Sequence, residues 1–205
     1  MIETSYNTVA ADYHELLKDI LRESPYERFA LDLLAELVPT GPIGDLGCGT
    51  GRVTSYLASL GLDVFGIDLT PGMIEVARQQ YPELRFDVGT LFDLPLKEGE
   101  LAGALAWYSL VHTPREDLPV VFAELYRVLR PGGYLLHGFK VGSGSRHLTA
   151  AYGHEGLDLE VYRFEPADVM SLLAAAGFEE EVTMTRRGLW GEKEPQAYLL
   201  VRKPG

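Results

Sequence analysis

Hydrophobic positions in this chain follow a helical period at first, then alternate between short apolar runs and amphipathic stretches. Tyr13, Leu16, Leu17, Ile20 and Leu21 form one stripe at helical spacing, and Phe29, Ala30, Leu33, Leu34 and Leu37 form a second. Ser24-Pro25 separates the two and Pro39 stops the second, which predicts two helices in the first forty residues. From residue 42 onward, apolar runs at 42–46, 63–67, 85–88, 102–106 and 134–141 predict five strands. Helices are predicted between them. The first spans 51–60, with Val53, Leu57 and Leu60 on one face and Gly61 at its end. The second runs from Pro71 to about Tyr81, with Thr70 as N-cap. The third carries Leu118, Val121, Phe122, Leu125 and Leu129, and Pro131-Gly132-Gly133 ends it.

The last third changes character. Residues 142–154 are rich in Gly, Ser and His and read as a loop or excursion. Pro166–Ala176 reads as a helix ended by Gly177, and strands follow near 179–187 and 196–202. The polar loop between those strands is short, which allows only antiparallel pairing. The expected fold is therefore α/β: a Rossmann-like, doubly wound sheet of seven strands, mostly parallel, with a C-terminal antiparallel hairpin and helices on both faces. A chain of 205 residues makes one domain with a sizeable core. Its expected parts are an N-terminal helical cap (1–40), a ligand-binding core (41–141), a substrate-side excursion (142–165) and a C-terminal helix and hairpin (166–205).

The chemistry concentrates where the first strand meets its helix. Gly44-Asp45-Leu46-Gly47-Cys48-Gly49-Thr50-Gly51-Arg52 places three glycines at alternate positions in the turn, with an acid before the first. The next strand ends in Asp68, seventeen residues after Gly51. Such a βαβ unit holds a nucleoside-containing ligand: glycines let the backbone approach it, and the distal acid takes the two ribose hydroxyls. A dinucleotide fingerprint wants its third glycine at position 52, where Arg52 stands. A pyrophosphate would also be repelled by Asp45. S-adenosylmethionine, with an ammonium and a sulfonium but no phosphate, suits that acid.

Four blocks carry a family resemblance: GDLGCGTGRVTSYLASLG (44–61), VFGIDLTPGMIEVAR (64–78), FDVGTLFDLPL (86–96) and LYRVLRPGGYLLHGF (125–139). The chain resembles the class I S-adenosylmethionine-dependent methyltransferases of the small-molecule kind. The resemblance implies S-adenosyl-L-methionine as cofactor and S-adenosyl-L-homocysteine as product. It puts Asp45, Gly47, Cys48, Gly49 and Gly51 at the methionine end, Asp68 on the ribose, and Leu69 and Met73 against the adenine. Thr90 and Leu91 take the adenine contacts of the third strand, although the family usually has an acid where Thr90 stands. Ala106, Trp107 and Tyr108 lie near the methionine end, where an aromatic ring beside a sulfonium contributes ~1 kcal/mol. Tyr6, in the lid-like YNTVAADYHELL, closes over the cofactor, while Tyr13 sits on the apolar stripe.

Methyl transfer relies on holding donor and acceptor together, and a base is needed only for an acceptor that must lose a proton. His112, after the fourth strand, is the foremost candidate; His137, His147, His154 and Tyr152 are others. Arg163 reads as a solvated arginine. Cys48 lies at a helix start, where a thiol pKa can fall, but reads as a small residue in a tight turn.

Composition narrows the classes further. A formal charge of −12 with no basic run argues against nucleic acid and anionic membrane as partners. The single cysteine excludes an intrachain disulfide and fits a reducing compartment. The opening residues carry no basic, apolar leader pattern, so a cytoplasmic location is expected. No H-x-x-x-H or C-x-x-C occurs, and no metal site is expected. The expected partner is a small-molecule substrate, on a monomer or homodimer. Two alternatives stand: a NAD(P)-dependent oxidoreductase, and a non-catalytic S-adenosylmethionine-binding protein. Arg52, Asp45 and the lack of a Tyr-x-x-x-Lys pair weigh against the first.

Overall fold

The computed structural model describes residues 2–189 and 192–205. Three helices open the chain, α1 (Ile2–Leu17), α2 (Ile20–Glu23) and α3 (Pro25–Leu37), with the break at Ser24-Pro25 as expected. Alternation follows: β1 (Ile43–Leu46), α4 (Arg52–Ser59), β2 (Val64–Asp68), α5 (Pro71–Gln80), β3 (Phe86–Val88), β4 (Leu101–Trp107), α6 (Leu118–Val128) and β5 (Leu129–Lys140). Then come β6 (Ser145–Ala151), β7 (His154–Tyr162), α7 (Pro166–Ala175), β8 (Glu179–Arg186) and β9 (Gln196–Arg202). Residues 190 and 191, in the loop predicted between the last two strands, lie outside the described residues.

Seven strands pair in the order β3-β2-β1-β4-β5-β9-β8. The first five run parallel, and β9 is antiparallel to both β5 and β8. Strand order reverses between β1 and β4, and an open α/β sheet takes its ligand at such a point, beyond the carboxyl ends of the strands. β4 is buried along its whole length and rich in Ala and Gly, as a central strand covered on both faces can be. One core lies between the sheet and α6 and α7, with Phe122, Leu125, Phe139 and Leu173 at its centre. The other lies beneath α3 and α4, around Leu31, Leu34, Leu57 and Tyr198.

Four local expectations are corrected. The first of the two expected helices is broken into α1 and α2 within its predicted stripe, and α1 and α3 are rotated from the predicted stripes. Leu16 and Phe29 are exposed, and the buried faces are Ser5, Val9, Ala10 and His14 in α1 and Glu27, Ala30, Leu31 and Leu34 in α3. Polar pairing sets these rotations. Ser5 Oγ accepts the Asp158 N–H, His14 meets Thr50, and Glu27 faces Arg186 and the Trp107 indole. Next, β5 begins at Leu129, because Leu129 pairs with Leu101 before the register shifts to Gly103–Tyr134. The third correction concerns the predicted excursion at 142–154, most of which forms a hairpin. β6 and β7 pair antiparallel across the two-residue turn Tyr152-Gly153, where both residues have positive φ, 54° and 81°. That is the backbone a two-residue hairpin turn needs. Thr70 does begin α5, but its side chain caps nothing; Asp68 accepts its N–H instead.

Candidate active site

β1 delivers Asp45 to the end of the sheet, where it is buried and accepts the Thr54 hydroxyl at 2.6 Å. Burial pushes its carboxyl up to about 6, against the Thr54 bond and the Arg52 charge. The chain then turns through Gly47 (φ 82°) against the next loop of the sheet: a Cβ at Gly47 would overlap the Ser109 Cβ. Asp68, at the end of β2, holds this turn in place. Its Oδ2 accepts the Gly49 N–H at 2.8 Å and its Oδ1 the Thr70 N–H at 2.9 Å. Each oxygen keeps a further lone pair, so the ribose role stays open to it.

From the other side, α1 lies across this end of the sheet. Asn7 Oδ1 accepts the Gly72 N–H at the start of α5 (2.7 Å), and His14 Nδ1 lies 3.1 Å from the Thr50 hydroxyl in the glycine turn. β7 packs on α1 through Val9, Leu157 and Leu159. Between lid and sheet is a cavity of about 350 Å³.

Of the predicted site residues, Asp45, Gly47, Cys48, Gly49, Asp68, Leu69, Met73, Thr90, Leu91, Trp107, Tyr108, Tyr6 and His112 line this cavity together. Gly51 and Ala106 do not. Gly51 is the left-handed residue before α4, packed against Phe86, and Ala106 is buried within the sheet with its carbonyl accepting from His137 Nδ1. Cys48 is buried, and desolvation pushes its thiol well up, so the helix start does not activate it. Thr90 Oγ1 accepts the Phe92 N–H at 3.3 Å, a local turn contact. Trp107 stacks on Tyr198 at 4.8 Å and donates its indole N–H to the buried Glu27. Tyr108 has φ 56°, a strained value for a bulky residue, and its hydroxyl donates to Tyr198.

Geometry separates the proton-taking candidates. His137 is buried in the core, His147 pairs with Asp158, and His154 pairs with Asp12. Only His112 of the five histidines lines the cavity. Tyr13 lines it too, against the expectation of a core role, and Tyr152 packs behind Tyr13 with ring centres 5.0 Å apart. Arg163 lies outside the wall, against Gly142.

Two wall groups went unread in the sequence. Arg52 Nη1 and Ser109 Oγ are buried, without hydrogen-bond partners, and belong to residues that line the cavity. A buried donor without a partner carries a desolvation cost that a ligand can relieve. The guanidinium stands near Asp45, Glu27 and Tyr13, whose pKa values, raised by burial, it draws back toward the ordinary range. Position 52 spoke in the sequence only as a missing glycine; its side-chain direction is set by the glycine turn. The donor set fits a ligand with a nucleoside end, an ammonium and a carboxylate.

Residues 43–133 match the family described as a methyltransferase domain. A malonyl-[acyl-carrier protein] O-methyltransferase of Serratia marcescens is 34% identical over 142 residues, covering 69% of this chain and 55% of that one. This chain belongs to the class I S-adenosylmethionine-dependent methyltransferase superfamily. It spans about half the length of the curated relatives it matches. The methyltransferase fold recurs in a solved Methanosarcina mazei methyltransferase, with TM-score 0.73, 20% identity, and coverage of 80% of this chain and 92% of that one. It recurs also in the Burkholderia thailandensis 1,6-didemethyltoxoflavin-N1-methyltransferase, solved with 1,6-didemethyltoxoflavin and S-adenosylhomocysteine. There the TM-score is 0.72 at 21% identity, covering 100% of this chain and 92% of that one. No helix among the described residues is long and apolar enough to cross a membrane.

Proposed function

We propose that the protein transfers a methyl group from S-adenosylmethionine to a small-molecule acceptor, held between α1, the β6–β7 hairpin and the end of β4. The observation that carries this reading is one cavity shared by Asp45, Asp68, the glycine turn and an unpartnered Arg52 guanidinium nitrogen. When bound, the cofactor supplies an electrophilic methyl group on a charged sulfur. The chain's residues position it. Asp45 takes the ammonium, and that pairing keeps its carboxyl ionised despite burial. Arg52 takes the carboxylate in a charge-assisted pair. Asp68 takes the ribose hydroxyls with the lone pairs its backbone contacts leave free, and Leu69, Met73, Thr90 and Leu91 enclose the base. The rings of Trp107 and Tyr108 face the sulfur end, fixed from behind by Glu27 and Tyr198. Tyr6 and Tyr13 close the site and exclude water. His112, on the acceptor side, is the group placed to receive a proton.

Calorimetric titration tests the assignment. S-adenosylhomocysteine binds and NAD does not, and Asp68→Ala abolishes the binding. Arg52→Gln weakens S-adenosylhomocysteine by about 10- to 100-fold, the size of a charge-assisted pair. The same variant leaves 5′-methylthioadenosine, which lacks the amino-acid end, within about twofold. Preference for NAD would return the glycine turn to a dinucleotide role, and equal losses for both nucleosides would remove Arg52 from the carboxylate.

A further inference from the structure

Three distant segments meet at His112. Its Nδ1 lies 2.6 Å from the Glu160 carbonyl oxygen on β7, and its Nε2 lies 2.7 Å from the Tyr6 hydroxyl on α1. A carbonyl oxygen only accepts, so the ring proton is on Nδ1 and Nε2 presents a lone pair. Tyr6 must then be the donor in the second bond. Donating leaves the Tyr6 oxygen with free lone pairs, and both residues line the cavity. A hydroxyl group that meets Tyr6 there can pass its proton in one direction only, through the Tyr6 oxygen to Nε2.

The charges of the wall limit what that hydroxyl belongs to. Arg52 is the only Lys or Arg among the lining residues, against Asp45, Asp68 and Asp117. With Arg52 on the cofactor carboxylate, no wall cation is left for an acceptor carboxylate or phosphate. Ile2, Tyr13, Trp107 and Tyr108 add aromatic and apolar surface to the same cavity, with Ser109 and Thr113 as uncharged polar groups.

We propose that Tyr6 and His112 form a proton-accepting relay for an uncharged acceptor bearing an acidic hydroxyl, a phenol or an enol. The proposal rests on the methyl-transfer reading above and deepens it. In the step, the acceptor O–H bond breaks and its proton goes to the Tyr6 oxygen as the Tyr6 proton goes to Nε2. The freed oxygen pair forms the new bond to the methyl carbon, and the methyl–sulfur bond breaks with its pair left on sulfur. Tyr6 ends as it began and His112 ends as imidazolium. Tyr6 touches the acceptor; His112 acts through it.

The surroundings agree with this direction. Burial lowers the His112 pKa below the usual imidazole range, the Glu160 bond raises it, and Lys140 on β5 adds to the lowering. Burial pushes up the hydroxyls of Tyr6, Tyr13 and Tyr152, and contact with Tyr152 and the Asp68 charge both raise Tyr6 further. On these lid elements the structure also pairs Asp12 with His154, and His14 with the glycine turn. The imidazole is thus neutral and available at neutral pH, and a base this weak matches an acidic hydroxyl far better than an aliphatic alcohol.

4-Nitrophenol serves as probe, because its spectrum reports its ionisation. The protein is first saturated with sinefungin, a cofactor analogue with an ammonium where the methyl-bearing sulfur would be, and then titrated with the phenol at pH 6. The wild type is expected to bind the phenol and ionise it. Tyr6→Phe and His112→Gln, each verified by circular dichroism and sinefungin binding, are expected to bind it within about threefold but leave it protonated. 4-Nitrobenzoate, of similar shape with a fixed charge, is expected to bind at least about tenfold more weakly. Absence of phenol binding, a bound phenol that stays protonated in the wild type, equal ionisation in the variants, or tighter binding of the benzoate would each overturn the proposal. Failure to bind sinefungin at all would instead remove the methyl-transfer reading.

Discussion

His137 sits in the core with Nδ1 on the Ala106 carbonyl, its ring stacked on Phe139, and Nε2 without a partner. Desolvation pushes its pKa down to about 4. Unfolded, the imidazole titrates near ~6.5, so below that pH the unfolded chain takes up a proton that the folded chain refuses. The stabilising contribution is complete above pH 6.5 and is lost as pH falls toward 4, about 3 kcal/mol in all. Urea unfolding across this window should show a steeper loss in the wild type than in His137→Phe; parallel curves would remove the imidazole as the cause. Residues of this kind show where reading a sequence stops. Asp45, Asp68 and the glycines were legible because their spacing is itself the chemistry. His112 was the foremost base candidate by position alone, but its partners Tyr6 and Glu160 appeared only with the fold, and Arg52 and Ser109 gained a role only as buried polar atoms without partners.

At the scale of elements, the β–α alternation and the short final connection carried the number and direction of the strands in the sheet, because each follows from local period and loop length. The hairpin β6–β7 was hidden by Ser and His in its first strand and by the glycines flanking it, although Leu157, Leu159 and Val161 alternate in the second. Rotations of α1 and α3 were not legible, since polar partners far along the chain set them. Gly51 illustrates an element junction whose value is geometric. It begins α4 with φ 78°, and a Cβ there would lie 2.6 Å from the Phe86 ring. Gly51→Ala is expected to cost roughly 2–4 kcal/mol, combining left-handed strain with displacement of Phe86. The midpoint of urea unfolding measures it. Because Gly51 lies outside the cavity wall, the folded fraction should still bind S-adenosylhomocysteine within a few-fold, and an unchanged midpoint would sink this account.

Taken whole, the molecule is a sheet with a separate small core above it. Val9, Leu157 and Leu159 join α1 to the hairpin, reinforced by Ser5 with Asp158 and Asp12 with His154. A unit with its own apolar core opens cooperatively when its ties to the rest give way together. Amide exchange in 5–17 and 145–162 is therefore expected to share one opening free energy below that of β4 and β5, and to slow in both segments when S-adenosylhomocysteine is added. Protection appearing in one segment alone would show that they open independently. The tie between Ser5 and Asp158 spans 153 positions, which bears on how the protein is made. On the ribosome α1 emerges well before β7, one of the two surfaces that receive it. The parallel strands β1 to β5 can already pair, and α1 can meet α5 through Asn7 and Gly72, while the β7 side of its seat is still missing. Ligand capture is then a late event in the life of each nascent chain, and a chain released before β7 would carry the glycine turn without the roof that encloses it.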